Sequence, residues 1–319
     1  MEKRPPVLFF YPTFNCNEHC SFCFFKNKAS RYKNHIPFDK IKTNINYLTK
    51  KFSIRSIVMA GGEPTIYKDF IPLMDYLGKK YIFKSRLDNF YLATNVIKCA
   101  DKKFTDYLYK FFIPSCNILS QLDIATTTLE ENKAMSKLKK NGILNLSERL
   151  VNINNILILT KDNILKTPQI IKFLINIYRK YYKNSNSYFQ IELRIPFLIR
   201  SSANTYLAVP KAKDIKKHLT RLVSLIANEE IPMILRNIPL CYVDNLIDID
   251  CFVKKSNPSR EMIEFGPDSF SNPEKIKPEK FLSRIIRYKE CKKCKFSYKC
   301  SSIDSDYFEK FSYPTLKPF

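Results

Sequence analysis

Short apolar runs alternate with longer amphipathic stretches along the first two thirds of the chain. The runs have the apolar, β-branched and aromatic character of buried strands. Between them, apolar residues recur every three or four positions, as at Ile41, Ile45 and Leu48, which indicates helices. This pattern predicts strands at residues 7–11, 54–60, 90–94, 118–124, 151–160 and 189–195. It predicts helices at residues 38–51, 70–79, 104–112, 130–141, 170–183 and 211–229.

Six repeated strand–helix units predict the α/β fold class, with a parallel sheet covered by helices on its outer face. In parallel barrels the chemistry lies at the carboxyl ends of the strands. The pattern changes after residue 231, where proline and charge become frequent, and residues 254–260 and 265–280 are expected to be irregular. We therefore predict two regions, a strand–helix region over residues 1–235, which the resemblance described below implies is a partial barrel, and a small irregular region over 236–319.

Composition narrows the class of protein less than the pattern does. Lys and Arg number 54 against 30 Asp and Glu, a net charge of +24, which favours anionic partners such as nucleic acid or an acidic redox protein. Biased codon usage explains the same excess, since the chain is rich in Lys, Asn and Ile and holds only 5 Gly and no Trp. No apolar run has the length of a transmembrane helix or a signal peptide, so we expect a cytoplasmic protein without membrane attachment.

The strongest chemical signal is the spacing Cys16-x3-Cys20-x2-Cys23, which follows the first predicted strand. Three thiolates on one loop can hold three irons of a cubane 4Fe–4S cluster, because thiolate is the ligand that such clusters select. The fourth iron then has no protein ligand and is open to a cofactor or substrate. A zinc site is the alternative, but zinc usually takes paired cysteines and four ligands.

This motif resembles the signature of the radical SAM superfamily, in which the residue before the third cysteine is typically aromatic, as Phe22 is here. The resemblance implies a partial (βα)6 barrel and two cofactors, a 4Fe–4S cluster and S-adenosylmethionine. In the family, the open iron chelates the methionine part of S-adenosylmethionine, and one electron splits it to give a 5′-deoxyadenosyl radical that removes a hydrogen atom from substrate. It also implies that Phe22 stacks on the adenine.

A second motif, Gly61-Gly62-Glu63-Pro64, follows the second predicted strand. By itself it is an ordinary glycine turn. At this distance from the cysteines it resembles the family's GGEP segment, which pairs with the amino group of S-adenosylmethionine. The resemblance implies further cofactor contacts near the ends of later strands. One is Asn95, beside Thr94 at the end of the third strand, and two more are Gln121 and Asp123, which share one face of the fourth strand. Asn163 and Arg194, at the ends of the fifth and sixth strands, are further candidates for contact with cofactor or substrate. Capping or solvated polar residues are the alternative for each.

Three more cysteines stand near the C-terminus, in the spacing Cys291-x2-Cys294-x5-Cys300. A fourth ligand closes a cluster, and Cys241 is preferred to Cys251. The arrangement resembles the twitch and SPASM extensions of radical SAM enzymes, which carry auxiliary 4Fe–4S clusters, and it implies one such cluster; structural zinc is the alternative. The remaining cysteines of the barrel, Cys99 and Cys116, are predicted to be buried core thiols.

The resemblance fixes the cofactors more closely than the substrate. The leading hypothesis is a radical enzyme that matures a ribosomally made peptide through a thioether or carbon–carbon link, with oxidation through the auxiliary cluster. A small-molecule dehydrogenase or cofactor-synthesis enzyme is the alternative. An RNA-modifying enzyme and an iron–sulfur electron carrier are less favoured hypotheses. The expected partners are a peptide or small-molecule substrate and an electron donor such as flavodoxin or ferredoxin. No catalytic proton donor or acceptor can be selected from the sequence.

Overall fold

We describe the protein from a computed structural model. The structure describes residues 5–23, 25–32, 34–112, 119–126, 133–196, 208–243, 253, 261–280, 285–286, 290–300 and 303–304.

One nine-stranded sheet organises the chain, in the order β7-β6-β5-β4-β3-β2-β1-β8-β9. Its neighbours are parallel from β7 through to β8, and only β9 is antiparallel, to β8. Within the described residues the two outer strands do not pair with each other, so the sheet stays open, and the predicted partial barrel is confirmed. The strands are β1 Val7–Phe10, β2 Ser56–Met59, β3 Asn89–Thr94, β4 Leu119–Ala125, β5 Ile153–Ile158, β6 Phe189–Arg194, β7 Met233–Arg236, β8 Glu261–Phe265 and β9 Glu279–Lys280.

Among the residues that the structure describes, seven α-helices accompany the strands, and most coincide with the predicted ones. They are α1 Lys26–Arg31, α2 Phe38–Lys51, α3 Phe70–Leu77, α4 Lys102–Tyr109, α5 Lys133–Glu148, α6 Thr167–Ile177 and α7 Ala212–Ala227. The predicted helix over 130–141 continues through Gly142 to residue 148. This glycine lies against the backbone of Val96, where an added Cβ would come within 2.3 Å of the carbonyl oxygen. It therefore permits close packing inside the helix instead of ending it.

The two faces of the sheet differ because successive side chains point to opposite sides. The outer face is apolar and packs under the helices; Leu193 and Leu235 are buried there. The inner face is polar from β4 to β7. The register places Asp123 beside Asn154 and Arg194 beside Arg236 on that face. The barrel interior thus presents charged and amide side chains near the carboxyl edge of the sheet.

The sheet extends beyond the predicted boundary between the two regions. β8 comes from the predicted C-terminal region, yet it pairs with β1, and Phe265 stacks on Phe10 with ring centroids 5.7 Å apart. A separate pair of short antiparallel strands, β10 Ile285–Ile286 and β11 Ile303–Asp304, lies nearer the C-terminus. The division at residue 235 stays a prediction. No helix in the described part of the chain has both the length and the apolar character that crossing a membrane requires.

Candidate active site

The three N-terminal cysteines lie on the loop that joins β1 to α1, at the carboxyl edge of the sheet. All three are free, partly buried thiols. The backbone N–H of Cys23 donates to the carbonyl of Cys20 at 3.2 Å, and the N–H of Glu18 donates to Sγ of Cys16 at 3.4 Å. Burial raises the pKa of Cys16 to about 11 and, with the nearby charge of Glu18, the pKa of Cys20 to about 12. Metal coordination is what would deprotonate such thiols at neutral pH.

The donor set suits an iron–sulfur cluster by its chemistry. Three thiols from one loop are the soft ligands that iron–sulfur clusters take. In the described part of the chain, no three His, Cys, Asp or Glu side chains converge as ligands of one metal ion do. Cys16, Cys20 and Cys23 would hold three irons of a cluster, each through its own thiolate.

A buried ion pair fixes this loop to the helix behind it. Nζ of Lys139 on α5 lies 2.7 Å from Oε1 of Glu18 and 3.2 Å from the carbonyl oxygen of Ala125. The Lys139 side chain is fully buried and that of Glu18 is 9% exposed. The cation also opposes the rise in the pKa of Cys20. Glu18, between the first two cysteines, is therefore held by α5 and the end of β4.

The Gly61–Gly62 segment approaches the same loop from β2. The N–H of Gly62 donates to the carbonyl of Thr13 at 3.0 Å, and the N–H of Glu63 donates to that of Asn15 at 2.8 Å. Gly61 has a φ of 134°, and a Cβ on Gly62 would lie 2.0 Å from the carbonyl oxygen of Asn15. Both glycines are required by the backbone, because no side chain fits between the two segments. Whether their backbone also contacts a cofactor stays a prediction.

Glu63 is fully buried, and both oxygens of its carboxylate accept hydrogen bonds from neighbouring residues. Oε1 accepts from the N–H and hydroxyl of Thr65, at 3.1 and 2.7 Å, and from the hydroxyl of Thr94 at 2.8 Å. Oε2 accepts from the N–H of Asn95 at 2.6 Å. Burial raises the pKa of Glu63 and these hydrogen bonds oppose that rise. The carboxylate joins the end of β2 to the end of β3, and its pairing with a cofactor ammonium stays a prediction.

Asn95 connects the end of β3 to the cysteine loop. Its Nδ2 donates to Oδ1 of Asn17 at 2.7 Å, next to Cys16 in sequence. Phe22 is partly buried on the loop, and Pro64 opens a short 3₁₀ turn after Glu63. The structure thus brings Asn95 and the glycine segment to the cysteines.

Gln121 and Asp123 lie together on the inner face of β4, as predicted from their spacing. Nε2 of Gln121 donates to Oδ1 of Asp123 at 2.7 Å, and Nδ2 of Asn154 on β5 approaches the same oxygen at 3.1 Å. Burial raises the pKa of Asp123, and the charge of Arg194 opposes that rise. Asn163, by contrast, caps its own turn, because its Oδ1 accepts from the N–H of Thr160 at 2.8 Å.

The polar network continues to β6 and β7 through Arg194, a candidate from the sequence, and through other residues that the sequence analysis did not single out. Nε2 of Gln190 donates to Oδ1 of Asn154 at 3.0 Å, and Nδ2 of Asn154 donates to Oε2 of Glu192 at 3.2 Å. Glu192 in turn accepts from Nε of both Arg194 and Arg236. The signal was present in the sequence, since Gln190, Glu192 and Arg194 alternate with apolar residues and must share one face of the strand.

The C-terminal cysteines lie against the core near the end of β7. The N–H of Leu240 donates to Sγ of Cys300 at 3.5 Å, and the N–H of Cys294 donates to the carbonyl of Cys291 at 3.3 Å. All of these cysteines, with Cys241, are partly buried against apolar core residues. Cys99 is buried, as predicted. Cys116 and Cys251 lie outside the described residues.

Comparison with known proteins identifies the family. The model of the radical SAM superfamily matches residues 10–174, more than half of the 319-residue chain. The chain belongs to the radical SAM superfamily. It is therefore a radical SAM enzyme, and the family implies a 4Fe–4S cluster and S-adenosylmethionine.

Individual relatives are distant in sequence. An L-lysine 2,3-aminomutase of Methanococcus maripaludis is 24% identical over 144 residues, which cover 44% of this chain. The match spans only 33% of that curated relative's length. Among solved structures, anSMEcpe with bound AdoMet and the Kp18Cys peptide has a TM-score of 0.65 at 14% identity and covers 98% of this chain and 93% of its own.

A second solved structure has a similar fold. Streptococcus suis SuiB bound to its precursor peptide SuiA has a TM-score of 0.59 at 14% identity and covers 98% of this chain and 75% of its own. At such identities the likeness establishes the partial-barrel fold of a radical SAM enzyme. The substrate must be inferred separately.

Proposed function

We propose that this radical SAM enzyme oxidatively matures a peptide. The observation that carries the proposal is a likeness of fold over 98% of the chain to two structures that hold peptides, SuiB with SuiA and anSMEcpe with Kp18Cys. The second of these also holds AdoMet. The polar interior of the sheet supports the proposal, because it offers charged and amide groups that can bind a peptide beside the cofactor.

The proposed cofactor site is centred on the cysteine loop. Cys16, Cys20 and Cys23 hold the cluster, and the Gly61–Gly62 backbone with Glu63 and Pro64 faces the methionine part of S-adenosylmethionine. Asn95, Gln121 and Asp123 contact its remaining polar groups, and Phe22 its adenine. When bound, the two cofactors supply a radical that removes one hydrogen atom from the substrate. The chain's own contribution is to fix the loop, through Glu18–Lys139 and Asn17–Asn95, and to surround the reaction with protein instead of water.

The proposed auxiliary cluster uses Cys241, Cys291, Cys294 and Cys300. The hydrogen bond from Leu240 to Cys300 supports the choice of Cys241, because it brings the neighbouring residue of Cys241 to Sγ of Cys300. Such a cluster would accept the second electron of the oxidation, while the substrate releases a proton. The balance is then one hydrogen atom to the cofactor radical, one electron to the auxiliary cluster and one proton to solvent. This makes the enzyme an oxidoreductase.

Iron content tests the auxiliary cluster separately from the substrate. We expect Cys294→Ser to lower bound iron by about half, since each cluster holds four irons, and to leave cleavage of S-adenosylmethionine without substrate in place. Cys99→Ala, at a buried thiol outside both groups, is the matched control and should keep all of the iron. Zinc in place of iron in anaerobically prepared protein would contradict the auxiliary cluster.

Mass spectrometry tests the peptide. Anaerobically reconstituted enzyme, reductant and S-adenosylmethionine are incubated with short peptides encoded beside its gene. We expect one peptide to lose two hydrogens as 5′-deoxyadenosine accumulates. If 5′-deoxyadenosine forms while every peptide keeps its mass and retention time, the peptide proposal is wrong. A peptide of unchanged mass and altered retention time would indicate an isomerisation, which is the reaction class of the aminomutase relative.

A further inference from the structure

Two arginines stand side by side at the carboxyl edge of the sheet. Arg194 is the last residue of β6 and Arg236 the last of β7, and the two are register partners. Each donates its Nε to the same oxygen, Oε1 of Glu192. Their neighbours Leu193 and Leu235 belong to the apolar outer face, so the guanidinium groups belong to the barrel interior.

Both carboxylate oxygens of Glu192 accept hydrogen bonds from the protein. Its Oε2 accepts from Nδ2 of Asn154, and its side chain is 1% exposed. Burial opposes its ionisation, but the charges of Arg194 and Arg236 outweigh burial and lower the pKa of Glu192 to about 2. Glu192 is therefore an anion at neutral pH, and this one carboxylate faces two guanidinium cations.

The outer nitrogens of both guanidinium groups remain available. Among the described residues, the side chains of Arg194 and Arg236 have no hydrogen bond beyond those to Glu192, and they are 22% and 24% exposed. Another carboxylate, Asp123, acts on Arg194 through its charge but forms no ion pair with it in the described part of the chain. A single arginine would suffice to neutralise Glu192. The second leaves guanidinium N–H groups that a further carboxylate can bind.

We propose that Arg194 and Arg236 together bind a carboxylate of the substrate, either an acidic side chain or a peptide C-terminus. The planar guanidinium fork matches a carboxylate with two parallel hydrogen bonds, and such a contact is strengthened in a partly enclosed site. Glu192 positions both forks by holding each Nε. The site connects through Asn154 to Asp123, a proposed cofactor contact, so a carboxylate bound here would anchor the substrate beside the cofactor. This inference rests on the proposed peptide function for the identity of the substrate.

Isothermal titration calorimetry with two small probes tests the site. Reconstituted enzyme saturated with S-adenosylmethionine is titrated with N-acetyl-L-glutamate, which carries a side-chain and a terminal carboxylate, and with N-acetyl-L-glutamine amide, in which both are amides. Saturation removes the cofactor's own carboxylate from the comparison. We expect the acid to bind at least about tenfold more tightly than the amide, the usual effect of a lost charged hydrogen-bond pair.

Three variants assign the binding to the arginines. Arg236→Gln should weaken binding of the acid about tenfold or more, and Arg236→Lys should weaken it less, because charge remains while the fork is lost. Should Arg236→Gln fail to fold, Arg236→Lys alone must still reduce the preference for the acid. Arg179→Gln is the matched control, since Arg179 pairs with Glu229 on the outside of the protein, and it should bind both probes as the unchanged enzyme does.

Equal binding of acid and amide would overturn the inference, as would full affinity for the acid in Arg236→Gln. Weaker binding of S-adenosylmethionine itself in Arg236→Gln would also overturn it, by assigning the arginines to the carboxylate of the cofactor. Selective binding of the acid by an enzyme that changes no peptide would uphold the carboxylate site and contradict only the peptide proposal.

Discussion

Replacement of Lys139 by methionine should destabilise the protein more than any change to a surface ion pair. The substitution removes a fully buried cation and keeps much of its volume, but it leaves the Glu18 carboxylate, 9% exposed, without the partner that lies 2.7 Å away. Breaking a buried pair from one side costs about 3–5 kcal/mol, because the remaining charge stays out of water. The backbone carbonyl of Ala125 also loses a donor at 3.2 Å.

Urea unfolding of the reduced apo-protein, followed by circular dichroism, measures this loss. Lys110→Met is the matched control, because Lys110 and Asp75 are 3.5 Å apart with side chains 49% and 43% exposed, and its cost should stay below about 1 kcal/mol. The double variant Lys139→Met/Glu18→Gln should recover part of the stability, since it also removes the buried charge that lost Lys139. A loss in Lys139→Met no greater than in Lys110→Met would refute the assignment of this pair as the anchor of the cysteine loop.

Two further changes address the glycine segment and the arginine pair. Gly62→Ala places a Cβ 2.0 Å from the carbonyl oxygen of Asn15, so the cysteine loop must shift and the protein should be destabilised by about 1–3 kcal/mol. The iron bound after reconstitution should then fall several-fold. Unchanged iron content would contradict this packing. Glu192 has its pKa lowered from 4.5 to about 2 on folding, so it adds stability that is present above pH 4.5 and is lost as the pH falls. Between pH 5 and pH 3 this loss is about 2 kcal/mol, and Glu192→Gln should lose that much less than the unchanged protein over the same interval in urea titrations.

The sequence predicts the parts of the fold that depend on local pattern. The helix at 38–51 begins and ends where the repeat of Ile41, Ile45 and Leu48 indicates. β8, by contrast, has no local signal for its partner. It pairs with β1 across more than 250 residues of sequence. β7 was not predicted either, because it is only four residues long and ends in a charged residue, Arg236. Pairings of that kind depend on how the whole sheet assembles, which a local pattern does not contain.

In the candidate site, too, the sequence predicts what lies close in sequence and misses contacts between distant segments. The cysteine loop and the glycine segment are short motifs, so their residues could be found from spacing alone. The pair Glu18–Lys139 and the contact of Arg236 with Glu192 could not, because each joins residues from different elements. Their partners become neighbours only after the strands take their register and α5 packs behind β4.

Cleavage of S-adenosylmethionine by the Cys20→Ala variant tests the assignment of the cysteine loop. Anaerobically reconstituted protein is incubated with dithionite and S-adenosylmethionine, and 5′-deoxyadenosine is measured by liquid chromatography with mass spectrometry, with Cys99→Ala as the control for loss of a thiol outside the loop. If Cys16, Cys20 and Cys23 hold the cluster, the unchanged protein and Cys99→Ala form 5′-deoxyadenosine, and Cys20→Ala forms none above the protein-free background. Formation of 5′-deoxyadenosine by Cys20→Ala at the rate of the unchanged protein would contradict the placement of the radical chemistry at this loop.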